Sequence, residues 1–313
     1  MTTNSETTTV TDTLDDEARA TTLQPEKRVR RSSTVFGSRA PLRSLLKHAG
    51  LIAVSLVMVY PLIWLVVSSF KPNDEIFRDL SIFTTNLTVE NYVNGWNDLQ
   101  FPFSTFLLNS TVLSVGAIIG NLISCSLAAY AFGRLKFRGR TLLFAIMLAT
   151  IMLPFQVVLV PQFTIFKELG WLNTFLPLIV PKFLATDAFF VFLMVQFIRA
   201  LPNEIFEAAR IDGAGHFRTY FQVTLPLMVP ALATTAIFTF IWTWGDFFGP
   251  LIYLRIPEMF PVSVALKGFL DAQSSSDFGS MFAMSVVSLV PLFIVFLVGQ
   301  RYLIKGIATT GIK

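Results

Sequence analysis

Apolar residues in this chain fall in long blocks separated by short charged stretches, and the blocks have the length of membrane crossings. Only His48 could interrupt a charge-free run between residues 47 and 71, and further charge-free runs occupy 101–133, 141–166, 219–245 and 278–300. Each exceeds the ~20 residues that an α-helix needs to cross a hydrocarbon core. A sixth block, about 176–198, is interrupted by Pro181, Lys182 and Asp187. The pattern predicts an all-α, polytopic membrane protein with about six transmembrane helices. In the 219–245 run the crossing part is expected to begin near Pro226.

Between two of these blocks lies a charged, partly amphipathic insert, residues 201–226, reading LPNEIFEAARIDGAGHFRTYFQVTLP. Pro202 followed by Asn203 and Glu204 signals a helix start, because proline is tolerated in a first turn and an acidic residue there complements the helix dipole. Gly213 and Gly215 offer the positive-φ conformations that end one helix and turn the chain into another. The insert therefore reads as a helix-turn-helix elbow. Past the turn, Phe217, Tyr220, Phe221 and Thr224 recur at i, i+3, i+4, i+7, with Arg218 and Gln222 on the other side, so that face is expected to be buried.

Composition agrees with a membrane protein. The chain is 53% hydrophobic and 14% charged, against about 25% charged in soluble domains, and its mean hydropathy is +0.63. Lysine and arginine set the orientation. With both termini in the cytoplasm, eighteen of the 24 basic residues fall inside, among them Arg134, Lys136, Arg138, Arg140, Arg199, Arg210 and Arg218. Lys71, Arg78, Lys167, Lys182, Arg255 and Lys267 fall outside, a bias that favours cytoplasmic ends and places the elbow in the cytoplasm. Residues 1–35 read as a disordered cytoplasmic tail, rich in Thr, Ser and acidic residues at first. Its cluster Lys27, Arg28, Arg30 and Arg31 reads either as an orientation signal or as an attraction to anionic lipid or a partner. No cleavable signal peptide is expected, since the first apolar run is long enough to remain as a span.

The chain carries little material for catalysis. Cys125 is the one cysteine, and His48 and His216 stand apart from any cysteine or carboxylate cluster, so no metal site is expected. No Gly-Lys pair occurs, which excludes a P-loop, and no Gly-x-Ser-x-Gly or His-Glu-x-x-His pattern is present. No catalytic residue, cofactor or nucleic-acid partner is expected. An ion-coupled secondary transporter, the alternative class, needs ionisable groups at membrane depth. Asp187 is the one acidic residue placed within a span, or near its outer end if that span starts after Lys182; Asp246 stands at a margin. Pro61, Pro154, Pro161 and Pro291 each remove a backbone hydrogen bond inside a span and mark places for kinks. Asn109, Asn121 and Ser124 read as interhelical hydrogen-bonding groups or as contacts for sugar hydroxyls. Trp242, Trp244, Phe247 and Phe248 read as an interfacial aromatic belt or as stacking surface for a sugar ring.

Within the elbow, Glu207-Ala208-Ala209, Gly213, Val223 and Leu225-Pro226, at their observed gaps, resemble the EAA loop of ABC-type importer permeases, with valine where that family usually has isoleucine. The resemblance implies a coupling helix seated on a separate ATPase subunit, with Glu207 offering a charge, Ala208 and Ala209 allowing close approach, and Gly213 holding the bend; Leu225 and Pro226 complete the motif. From about residue 45 to 313 the chain is similar to maltose-type carbohydrate permeases, through Ser68-Ser69-Phe70-Lys71-Pro72, Leu87-Thr88-Val89-Glu90-Asn91-Tyr92, Gln300-Arg301-Tyr302-Leu303 and Lys305-Gly306. That likeness implies a permease domain over 45–313 that contributes one half of a pore in the cell membrane. The implied partners are a second, homologous permease, a cytoplasmic ATPase dimer, an extracytoplasmic solute-binding protein and the lipid bilayer. The implied cargo is a sugar or oligosaccharide, with substrate-contacting residues left unassigned.

Overall fold

The computed structural model describes residues 40–84, 86–270 and 276–308. The expected tail at 1–35 lies outside them. Two compact units divide the chain at Val57 and Met58. In the first, helix α1 (Ala40–Ser68) begins, and every residue from Ser44 to Val57 is exposed. A helix that is apolar all round suits lipid rather than water.

In the second unit the described residues form helices and turns, with no strand. Helix α2 (Glu90–Asn97) is followed by the long α3 (Phe103–Arg134), then α4 (Arg140–Thr150) and α5 (Phe155–Glu168). After these come α6 (Ala188–Ala200), α7 (Asn203–Ile211), α8 (His216–Thr219), α9 (Val229–Trp244) and α10 (Phe278–Ala308). Helix α3 is the axle: α9, α6 and the turn at Val180–Leu184 pack on it, while α10 packs on α9 and α2. Its two ends lie in separate cores. Cys125, Ala129 and Tyr130 join Phe190, Met194, Ile198, Tyr220 and Met228 in one. Phe103 and Phe106 join Phe240, Trp244, Phe269 and Met284 in the other.

Four helical segments are long and apolar enough to cross a membrane, Ser44–Ser68, Phe103–Arg134, Leu176–Ala200 and Phe278–Arg301, and the number rises to six if each of two bent pairs is one span. The run at 141–166, expected as one crossing, is two helices, α4 and α5, meeting at 100°. Pro154 caps α5 with φ −62° and ψ 137°. It supplies no N–H and pushes the residue before it out of the helical region, so the break falls there. Pro61, Pro161 and Pro291 are accommodated inside α1, α5 and α10.

The Leu176–Ala200 segment is discontinuous. A turn of helix at Leu176–Ile179 tightens to a 3₁₀ turn at Val180–Leu184, Ala185 takes φ +54°, and α6 starts after Asp187. Asp187 thus lies near the middle of the segment rather than at its end. Gly120 on α3 makes this fit possible, since a Cβ there would lie 2.9 Å from Lys182 Cβ and 2.8 Å from Phe183. Of the polar residues of α3, Asn121 takes the expected interhelical role, while Ser124 and Asn109 hold the backbone of neighbouring turns. Asn121 donates to Asp187 and Thr239, Ser124 to the Lys182 carbonyl, and Asn109 to the carbonyls of Glu258 and Phe260.

Candidate functional site

Helix α7 is short and two-faced. Pro202 stands at its N-cap and Glu204 in its first turn. Phe206 and Ala209 are buried, while Glu207, Ala208 and Arg210 are exposed. Gly213, at φ +72°, ends the helix. The Ala214 N–H reaches the Ala209 carbonyl at 2.9 Å and the Gly213 N–H reaches that of Arg210 at 3.0 Å, the paired bonds of a Schellman turn. No neighbour would meet a Cβ at Gly213, so its backbone angle alone calls for glycine. Gly215 differs from expectation: it is extended, φ −70° and ψ 172°, a conformation open to any residue, and it serves as the N-cap of α8.

The second arm also departs from the expected pattern. Tyr220 and Thr224 are buried, but Phe217 is 79% and Phe221 57% exposed. The buried line runs Thr219, Tyr220, Thr224, Met228. Its cause is a π-helical turn at Tyr220–Thr224, in which hydrogen bonds skip one more residue and rotate the next stretch of helix about its axis. Pro226, four residues after Gln222, has no N–H for the Gln222 carbonyl, which is where an α-helical ladder would fail. Leu225 is half-buried against the core and Pro226 is exposed. The arm His216–Leu227 then meets α9 at 73°. The motif residues are therefore spread along the elbow. Glu207 and Gly213 stand around the bend, while Leu225 and Pro226 lie at the far end of the second arm.

Two side chains tie the elbow to α3. Arg134 donates from Nη1 to Asn203 Oδ1 at 2.6 Å, and from Nη2 to the carbonyls of Ile198 at 2.5 Å and Leu201 at 2.7 Å. Its guanidinium also lies 3.8 Å from the centre of the Phe206 ring. One planar group thus holds the end of α6 and the start of α7 on the end of α3. Tyr220 hydrogen-bonds Ser126 at 2.7 Å and packs on Tyr130. Sequence reasoning counted Arg134 only as an orienting charge. Its partners lie more than sixty positions away, and no local pattern announces them. Arg134, Lys136, Arg140, Glu207, Arg210 and His216 line a cavity of about 400 Å³ under the bend.

Farther along, the aromatic cluster divides. Trp244 is buried, stacked on Phe240, with Nε1 donating to the Ser288 carbonyl, whereas Trp242 is half exposed against Phe189, Phe190 and Phe238. Two positions along a helix lie on nearly opposite sides, so these indoles cannot share one role. Among the described residues no group of three metal-ligating side chains stands together.

A family profile described as "binding-protein-dependent transport system inner membrane component" matches residues 120–309. The arabinooligosaccharides transport system permease protein AraQ of Halalkalibacterium halodurans is 32% identical over 88% of this chain and 98% of its own length. The diacetylchitobiose uptake system permease protein NgcG of Streptomyces coelicolor is 34% identical, covering 82% and 84%. The trehalose/maltose transport system permease protein MalG of Thermococcus litoralis is 32% identical, covering 87% and 98%. A chain of a bacterial ABC transporter involved in the import of the acidic polysaccharide alginate superposes with a TM-score of 0.76, over 85% of this chain and 98% of that one, at 24% identity, a likeness of fold.

Proposed function

The chain belongs to the family of binding-protein-dependent transport system inner membrane components, and we propose that it carries sugar through the membrane, driven by a separate ATPase that grips the elbow. It is a multi-pass membrane protein and a transport subunit rather than an enzyme. Carbohydrate cargo is supported by relatives named for arabinooligosaccharides, diacetylchitobiose and trehalose/maltose. No observation favours an ion-coupled carrier.

The observation that carries the coupling assignment is the exposure of large apolar side chains on the elbow. Ile211 is 86%, Phe217 79% and Phe221 57% exposed. Such groups around one bend mark a surface covered by a partner protein or by lipid, and their place beside the charged Glu207, Arg210 and Arg218 supports a protein partner. In this reading Glu207 meets a charge on the ATPase, Ala208 and Ala209 permit close approach, Gly213 keeps the bend, and Leu225 and Pro226 set the end of the second arm. Arg134 and Tyr220 pass a displacement of the elbow to α3, and through it to both cores. Nucleotide-driven closure of the ATPase dimer shifts the population between two packings of these helices. A second, homologous permease completes the pathway, and a solute-binding protein delivers cargo to the face opposite the elbow. Both termini lie in the cytoplasm in this arrangement, with residues 1–35 as a tail and 45–313 as the permease domain.

Phe217→Asp and Phe221→Asp test the docking surface. Both side chains are exposed and fill no core, so chain level and thermal stability should stay at wild type while co-purification with the ATPase falls about tenfold or more. Retained co-purification and retained uptake in the double variant would refute the coupling role.

A further inference from the structure

The interrupted fourth span opens onto two cavities that share Phe155, Leu178, Lys182 and Asp246 as walls. The larger, about 660 Å³, also has Trp242 and Phe248 on its lining. The smaller, about 230 Å³, adds Gln162, Thr186, Asp187 and Tyr253. Non-helical backbone at membrane depth persists where it is enclosed by protein or borders a watery cavity, and ionisable groups at that depth mark a pathway more often than a scaffold.

The polar groups here are held in place yet incompletely used. Lys182 Nζ lies 2.8 and 3.1 Å from the two Asp187 oxygens, and Asn121 donates to the same carboxylate at 2.7 Å. The Lys182 and Asp187 side chains keep 29% and 24% of their exposure. An ammonium has three donors and a carboxylate about four acceptor positions, so both retain capacity. Asp246 accepts the Gly249 N–H at 3.2 Å and likewise has lone pairs to spare. Trp242, buttressed by Phe189, Phe190 and Phe238, presents its free side as a fixed apolar platform.

The geometry points to a binding site for a neutral, polyhydroxylated ligand in these joined cavities, with Asp246 and Lys182 holding hydroxyls and Trp242 and Phe248 covering the apolar face of a sugar ring. This rests on the reading of the chain as a carbohydrate importer subunit and names the charge class of its cargo. Fixed apolar and aromatic walls with a few convergent polar groups are what ligand pockets are made of. Charge decides against an acidic ligand. Lys182 and Asp187 cancel, and Asp246 adds either a negative charge or none. In neither form does the cavity offer net positive charge to a uronate, and at low effective dielectric that difference counts strongly.

The test uses the assembled transporter without its binding protein, so that the cavity alone selects. Thr243→Cys, on the wall of the larger cavity, is labelled with a membrane-impermeant maleimide and read on this chain's own band, where Cys125 is buried. Ile241→Cys, on the same wall, serves instead if Thr243→Cys does not assemble. Maltotriose, arabinotriose and diacetylchitobiose are compared with trigalacturonate at millimolar concentration. At least one neutral sugar should slow labelling while trigalacturonate does not. Asp246→Asn and Trp242→Ala, in assemblies that co-purify normally, should each raise the half-protecting concentration about tenfold, the loss of one charge-assisted hydrogen bond or one stacked ring. Equal protection by trigalacturonate, or protection unchanged in both variants, overturns the inference. So does absence of protection by a neutral sugar that the same preparation, given its binding protein, takes up; the carbohydrate reading then stands and this site falls. If none of the neutral sugars is taken up at all, the carbohydrate reading falls, and the inference with it.

Discussion

The chain turns out of helical geometry at two places that look alike in backbone terms and differ in what sustains them. At the elbow, Gly213 takes φ +72° with open space around it, and the bend is closed by backbone bonds within six residues. In the fourth span, Ala185 takes φ +54°, and the break is held from α3 by Asn121 and Ser124 and, within the segment, by Lys182 closing on Asp187. In water a broken helix needs only a residue that tolerates the angle, because solvent satisfies the freed groups. In hydrocarbon each freed group needs a protein partner, so the break becomes a tertiary feature. The first turn can be an adaptable handle; the second is a fixed fixture.

Removing the partner should therefore hurt the span more than removing the glycine hurts the elbow. Lys182→Gln leaves the Asp187 carboxylate with Asn121 and no counter-ion, and should cost about 2 kcal/mol, less than for a fully enclosed pair because both groups keep partial solvent access. Thermal unfolding of the detergent-solubilised complex measures this, and Lys182→Gln with Asp187→Asn should recover most of the loss. An unchanged melting point in the single variant would mean that the pair does not hold the break. Next in size, Arg134→Lys keeps the charge but loses the planar fork spanning Asn203, Ile198 and Leu201, at about 1–2 kcal/mol. It should also lower transport per ATP hydrolysed, a ratio that mere loosening of the fold would leave alone. Gly213→Ala, strained by its angle alone, should cost about 1 kcal/mol. Gly215→Ala, two residues on, should stay within about 0.5 kcal/mol, since its backbone is ordinary and nothing crowds the position. Equal effects at the two glycines would remove the basis for the contrast.

The same contrast explains how much could be read beforehand. The helix start at Pro202 and the turn at Gly213 are local events, and both were legible. In the second arm, α-helical spacing puts Phe217 and Phe221 on the buried face, whereas both are exposed and the π-turn at Tyr220–Thr224 carries the buried line through Tyr220, Thr224 and Met228. The apolar run at 141–166 was legible in length and composition but not in its 100° bend, although Pro154 marked the spot. Trp242 and Trp244 were grouped by proximity in sequence, whereas helical rotation sends one to a cavity wall and the other into a core. The partners of Arg134 and the Asn121–Asp187 bond were out of reach, because contacts between residues many positions apart leave no period or spacing in a single chain.

Taken alone, the order of residues determined the membrane character, the approximate number and limits of the helices, and the position of the turn at Gly213, because hydrophobicity, chain length and backbone permissiveness act on neighbours. Tertiary structure alone decided which polar groups meet inside the span, which aromatics face the cavity, and which arginine joins the elbow to the axle. Those outcomes depend on desolvated groups finding partners on other helices, and that pairing exists only once the helices have packed.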